Sequence, residues 1–384
     1  MTTAPPSSIP TAEQLTAALS TVIDPEIRRP VTELGMVKSA EVGPDGVARV
    51  GIYLTVSGCP MKDTITERVT TAVGALPGVV NVQVELDVMS TEQRQALQTL
   101  LRGDNPVRDI PFAMPGSLTK VFAVASGKGG VGKSSITVNL AAAMAQKGLN
   151  VGVLDADIYG FSVPRMLGVQ HRPTQVESMI MPPSSHGVKV ISIGMFTKDN
   201  TPVVWRGPML HRALQQFLAD VYWGDLDVLL MDLPPGTGDI AISVAQLVPS
   251  AEILVVTTPQ LASQEVAELA GSIALQTHQR IAGVVENMSY LECPHCAERI
   301  DVFGSGGGQA VASSLSQRLG ADVPLLGQIP IDVRLREGGD SGRPLVLSDP
   351  DATASRALLS ISDRLSGRPR GLAGMSLGLS PSRA

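Results

Sequence analysis

Cysteine is nearly missing from this 384-residue chain, which carries only Cys59, Cys293 and Cys296. Three thiols do not make a disulfide framework, so a reducing, cytoplasmic setting is expected. Charge is also sparse, at 17% of residues with a formal net charge of −6. An acidic balance argues against the broad basic face that nucleic acid demands, and no nucleic-acid partner is expected. No apolar run approaches the ~20 residues of a spanning helix. The N-terminal MTTAPPSSIPT has no basic region followed by an apolar core. No membrane partner and no secretory signal are therefore expected. Hydrophobic residues, at 43%, are plentiful enough for a globular protein. The length exceeds one typical core, which makes two domains the expectation.

The pattern along the chain divides accordingly. Residues 12–22 read as an amphipathic helix stopped at Asp24-Pro25, and VARVGIYLTV (47–56) alternates as a strand does. A helix over 61–75, a strand over 79–88 and a helix over 91–102 complete a small α+β domain, 1–102. Residues 103–118, rich in proline and glycine, read as a linker. From 119 to 365, short apolar runs alternate with helical patterns: VFAVAS, NVGVLD, VKVISI, LDVLLMD, EILVVTT, RIAGVVEN and VPLLGQI. Continuous apolar strands are buried on both faces, so this second domain is expected to be α/β, a mostly parallel sheet wrapped by helices. Residues 366–384, rich in Gly, Ser, Pro and Arg, are expected to be disordered.

The sharpest chemical signal is SGKGGVGKSS (126–135), between the strand VFAVA and a helix. It fits G-x-x-x-x-G-K-[ST], the P-loop, in the strand–loop–helix setting that motif needs. Gly127, Gly129, Gly130, Val131, Gly132, Lys133, Ser134 and Ser135 are expected to wrap ATP phosphates with backbone N–H groups, at a helix N-terminus that favours anions. Lys133 is expected at the β/γ-phosphates and the Ser134 hydroxyl on Mg²⁺. Asp232 ends the strand in VLLMDLPPGTGD (228–239), where an aspartate can hold that Mg²⁺. Gly236 and Gly238 read as a switch loop meeting the γ-phosphate. Asp155 and Asp157 follow another buried strand, at the sheet edge where ligands of open α/β folds bind. Asp155 reads equally as a cap or turn residue.

The second signal is LECPHCAERI (291–300). Cys293 and Cys296 can share one metal, but zinc or an iron–sulfur cluster usually takes four ligands. Zinc site, redox dithiol and half of a cluster site are all open readings, with His295 a spacer. Its loop setting differs from the helix start of a thioredoxin-type dithiol, and no nearby ligand pair completes a single-chain zinc site. Cys59, between a strand and a helix, reads either as a reactive thiol that receives or relays a cluster or as a small buried residue. Arg206 in WRGPM reads as a phosphate or switch contact, or as an exposed ion pair.

KGGVGKS (128–134) resembles the deviant Walker A motif of the MinD/ParA/nitrogenase-reductase class of ATPases. The resemblance implies that Lys128 contacts the nucleotide of a partner subunit, making an ATP-dependent homodimer. It likewise implies that Asp157 positions the attacking water and that Asp232 is the Walker B aspartate. WRGPM (205–209), DLPPGTGD (232–239), GVVENMSYLECPHC (283–296) and GQIPIDVRLREGGDSGRP (327–344) resemble the Mrp/ApbC-type iron–sulfur cluster carrier ATPases, over essentially the whole second domain. DPEI, ELGMV and LTVSGCPM in residues 24–61 are similar to a small domain of iron–sulfur assembly factors. What this implies is an adenine end formed by Asn287 and Ile329–Asp332, with Pro330 and Asp332 among the contacts, and slow hydrolysis suited to a switch. It also implies a [4Fe–4S] cluster bridging Cys293 and Cys296 of two chains and passed to apo iron–sulfur proteins. Four thiolates would suit one zinc ion equally. The rival readings are a MinD/ParA-like positioning ATPase on membrane or DNA, and an electron-transfer ATPase like nitrogenase reductase.

Overall fold

The computed structural model describes residues 9–367 except 57, 103–108, 115, 158–159, 197–206, 237–238 and 261–262. Arg206, Gly238, part of the expected linker and the expected disordered tail beyond Gly367 lie outside the described residues. In chain order the first elements are α1 (Ala12–Ser20), β1 (Val37–Val42), β2 (Val47–Leu54), α2 (Lys62–Gly74), β3 (Asn81–Val88) and α3 (Thr91–Arg102). Next come β4 (Lys120–Ala125), α4 (Lys133–Gln146), β5 (Val151–Asp155), α5 (Val163–Met166), β6 (Thr174–Val176), β7 (Met179–Met181) and β8 (Ser184–Ser185). They are followed by β9 (Val188–Ser192), α6 (Gly207–Ala219), β10 (Val228–Asp232), α7 (Asp239–Leu247), β11 (Glu252–Thr257), α8 (Ser263–Thr277) and β12 (Ile281–Glu286). A hairpin of β13 (Leu291–Glu292) and β14 (Arg299–Ile300) precedes α9 (Gly307–Leu319), β15 (Leu325–Gln328), α10 (Val333–Ser341), α11 (Leu345–Ser348) and α12 (Thr353–Ser366).

Two compact units result, and the first is not continuous in sequence. It takes residues 1–108 together with 171–183 and 220–224. Its sheet has the order β1-β2-β3, with β1 antiparallel and β3 parallel to β2. Ile65, Val69 and Val73, spaced along one stripe of α2, join Ala48, Val50 and Ile52 of β2 in one apolar cluster. Thr11 starts α1 with a capping box, accepting from Gln14 N while the Gln14 side chain answers to the Thr11 backbone. Strand β1 has no counterpart in the sequence reading, because VKSAEV is half-exposed and carries no clean alternation.

The division at 102 and 119 needs correcting. Val176, Met179 and Met181, from the β6–β7 hairpin, lie fully buried in the same cluster as α1, α2 and β2. Arg94 pairs with Glu177 at 2.8 Å and Gln98 donates to Ser178 at 2.8 Å, fastening α3 to that hairpin. Strands of three residues carry too little periodicity to announce such a contribution.

The second unit is an eight-stranded sheet of order β15-β12-β11-β4-β10-β5-β9-β8. Every pairing is parallel except that of β8 with β9. The seven apolar runs of the sequence account for its seven parallel strands. All residues of β5, β9 and β10 are buried, as strands covered on both faces must be. Helix α4 is buried continuously from Ile136 to Met144 and belongs to the main core cluster. Insertion of β10 between β4 and β5 sets the carboxyl ends of these three strands side by side, where open α/β sheets bind ligands.

Candidate functional site

The loop from Gly127 to Gly132 links β4 to the first turn of α4. Gly130 at φ 80° and Gly132 at φ 81° occupy the left-handed region, which side chains resist. A Cβ on Gly132 would also stand 2.3 Å from Asn287 Nδ2. Above the loop lies an open cavity of about 230 Å³. Lys128 to Ser135 line it, with Asp157, Ser162, Met166 and Pro235.

Asp232 is the hub beneath. Its Oδ2 lies 2.8 Å from Lys133 Nζ and accepts from Ser134 Oγ at 2.6 Å, while Oδ1 accepts from Thr137 Oγ1 at 2.8 Å. Thr137 was not a sequence candidate; its position four residues after Lys133, on the same helix face, was the available signal. The Lys133 ammonium is buried and, although close to Asp232, makes no hydrogen bond of ordinary geometry among the described residues. A buried ammonium with unused donors suits an anionic ligand. The left-handed glycines and this ammonium together fit a nucleotide's phosphates.

Asp155 is the register partner of Asp232 across β5 and β10, and both are fully buried. Burial, and then the neighbouring Asp232 charge, push the Asp155 carboxyl up to about 8. Its oxygens accept from Asp157 N and Ser192 Oγ, each at 3.1 Å. The unfolded chain releases this proton near 3.8, so between 3.8 and about 8 the folded chain holds one proton more. The stability that neutral Asp155 contributes is full below that window and is lost as pH rises through it. Asp155→Asn removes the titration. The loss of unfolding free energy between pH 6 and pH 8 is expected to shrink by about 2 kcal/mol, read from denaturant midpoints at both pH values.

Asp157 lines the cavity and accepts from Gly160 N at 3.1 Å. Gly236, at φ 92°, donates its N–H to Ser126 O at 2.9 Å, tying the segment after β10 to the start of the P-loop. Lys128 is exposed. Asn287, Pro330 and Asp332 do not line the cavity. Asn287 is buried and donates Nδ2 to Val131 O at 2.9 Å. Pro330 is buried, and Asp332 caps α10 through Arg334 N while pairing with the Arg334 guanidinium at 2.7 Å.

The cysteine turn joins β13 to β14. Cys293 N donates to Glu298 O at 2.9 Å and Ala297 N to Cys293 O at 2.8 Å, closing a tight loop with Ala297 at φ 57°. Cys296 is exposed and Cys293 half-buried. The backbone N–H groups of His295 and Cys296, followed by the Cys296 thiol, hold the Cys293 thiol below its usual range. Such N–H···S bonds favour the thiolate that binds metal. Among the described residues no group of three or more His, Cys, Asp or Glu is arranged to hold a metal, so this turn offers two ligands per chain. Cys59 is different: burial, aided by Glu26 and Asp24, pushes its thiol up to about 11. The reactive reading of Cys59 gives way to the buried one, because burial outweighs the helix start.

Residues 117–366 match the NUBPL iron-transfer P-loop NTPases, and residues 12–85 match an iron–sulfur cluster assembly protein family. The chain belongs to the iron-transfer P-loop NTPase family. The iron–sulfur cluster carrier protein of Mycobacterium tuberculosis is 70% identical over 366 residues, 95% of this chain and 96% of that one. Its namesake from Mycobacterium leprae is 66% identical over 369 residues, 96% of each. A nucleotide-binding protein of Archaeoglobus fulgidus, solved with ADP, is 36% identical with a TM-score of 0.52, over 61% of this chain and 89% of that one. No helix of the described residues is long and apolar enough to cross a membrane.

Proposed function

We propose that this family member is a cytoplasmic, ATP-hydrolysing iron–sulfur cluster carrier that works as a homodimer. The observation that carries the reading is the pair of accessible thiols at Cys293 and Cys296, one of them favoured as thiolate, on the same chain as a complete P-loop. Two ligands per chain become four when two copies meet around an axis, and four thiolates hold a [4Fe–4S] cluster. Such a cluster is cargo, given up to an apo iron–sulfur protein, with neither nucleic acid nor membrane as partner.

At the nucleotide site Lys133 turns from Asp232 toward the β/γ-phosphates, and Lys128, exposed on the loop, reaches the nucleotide of the second copy. Mg²⁺ would be held by Ser134 and Asp232, and it would neutralise charge on the phosphate oxygens. Asp157 orients the attacking water, and Gly236 follows the γ-phosphate. Asn287 and the Pro330–Asp332 segment take the adenine end.

The test is transfer. Anaerobically reconstituted protein is mixed with an apo-enzyme that needs a [4Fe–4S] cluster, and acceptor activity is followed. Acceptor activity is expected to appear as the carrier loses its visible absorption, with about four irons per two chains at the start. Retention of the cluster with electron delivery instead would overturn the reading in favour of redox output.

A further inference from the structure

Only the segment from Asn287 to Glu292 separates a side chain that touches the P-loop from the cysteine turn. One end rests on the P-loop, where Asn287 Nδ2 donates to Val131 O at 2.9 Å. The other end opens the β13–β14 hairpin that presents Cys293 and Cys296. The span between is pinned. Ser289 N donates to Ile329 O at 2.9 Å, Ile331 N donates to Tyr290 O at 2.7 Å, and Met288 is held at φ 55°, uncommon for a side chain of its size.

Beneath it sits Glu286, fully buried at the end of β12. Its carboxylate accepts from Ser289 Oγ at 2.5 Å, from Gly308 N at the start of α9 at 2.5 Å, and from Gln328 Nε2 of β15 at 2.6 Å. A carboxylate taken out of water and satisfied from three elements fixes their relative positions.

The geometry also says how motion would pass. Val131 C=O and Gly132 N–H belong to one planar peptide. A phosphate drawing Gly132 N–H would tilt that plane and move the acceptor of Asn287 with it. A six-residue span bonded at Ser289 and Tyr290 has few soft torsions in which to absorb such a tilt before Leu291.

We propose that residues 286–290 form a strap through which nucleotide binding and metal binding at Cys293/Cys296 alter one another, with Asn287 and Glu286 as its positioning residues. The proposal rests on the reading of the cysteine pair as a metal site. Coupling of this kind is reciprocal.

The experiment titrates full-length protein with Co²⁺, followed by its thiolate-to-metal absorption, without nucleotide and with saturating ADP or a non-hydrolysable ATP analogue. In wild type the Co²⁺ affinity is expected to change by about fivefold or more with nucleotide, the low end of typical allosteric coupling. In Glu286→Gln that ratio is expected to fall to near one against the variant's own nucleotide-free state, and likewise in Asn287→Ala at nucleotide concentrations shown to saturate it, since Asn287 also stands at the adenine end. A merely structural role would lower the melting temperature and leave the ratio intact. Ser289→Ala, which removes a single bond of the strap, is the milder variant should the others fold poorly. Unchanged ratios in the variants, or a wild-type affinity indifferent to nucleotide, would overturn the strap. Co²⁺ absorption that survives Cys293→Ser with Cys296→Ser would instead bring down the cysteine site itself, and the strap with it.

Discussion

Lys133→Ala protein is expected to hydrolyse ATP at least about 10²-fold more slowly than wild type, the size of effect seen when one transition-state donor is removed. Lys133 is buried at the first turn of α4, with its ammonium 2.8 Å from Asp232 Oδ2 and without a well-formed hydrogen bond there. Its charge is already dehydrated at the lining of the cavity, and a turn away from Asp232 brings it to a phosphoryl group. The measurement is steady-state phosphate release at saturating Mg·ATP, with circular dichroism to confirm folding. Breaking a buried ion pair itself costs about 3–5 kcal/mol of stability. Lys133→Gln, which keeps a donor for Asp232 without the charge, separates loss of fold from loss of phosphate contact. Wild-type turnover in either folded variant would remove Lys133 from the reaction.

Cys293→Ser combined with Cys296→Ser is expected to reduce iron and sulfide after anaerobic reconstitution to background, with loss of the visible absorption band. The turn is held by backbone bonds from Cys293 N and Ala297 N, which serine leaves in place, so the hairpin is expected to keep its shape. What disappears is the soft thiolate ligand that iron–sulfur clusters require. Because Cys59 is buried with its thiol pushed up to about 11, it offers no substitute ligand. Wild-type iron and sulfide in the double variant would overturn the assignment. A full zinc complement in the native protein, with no iron or sulfide, would replace the cluster by the Cys₄ zinc alternative.

Much of the phosphate site was legible because its determinants are local. Gly127 to Ser135 are contiguous, and a loop between a buried strand and a helix leaves their backbone few options. Asp232 was readable for a related reason, as a carboxylate ending a wholly apolar strand. The same signal stood in VVEN, where Glu286 ends β12, yet nothing local distinguishes a carboxylate facing a ligand from one satisfied by Gly308 and Gln328. The stapling of Asn287 to Val131 was hidden likewise, since it depends on which elements become neighbours.

By itself, the sequence determined the parallel α/β sheet of the second unit, the P-loop at the carboxyl end of one of its strands, and the pairing of two cysteines in one turn. Hydrophobic period and short-range motif chemistry suffice for these, because their energetics lie within a few turns of chain. The tertiary structure alone decided three matters. It completed the first unit's core with Val176, Met179 and Met181 from far along the chain. It buried Asp155 and set it against Asp232, raising its carboxyl to about 8, and it buried Cys59, pushing the thiol up to about 11. Burial and charge proximity are properties of packed neighbours, and residues far apart in sequence acquire them only when the chain closes on itself.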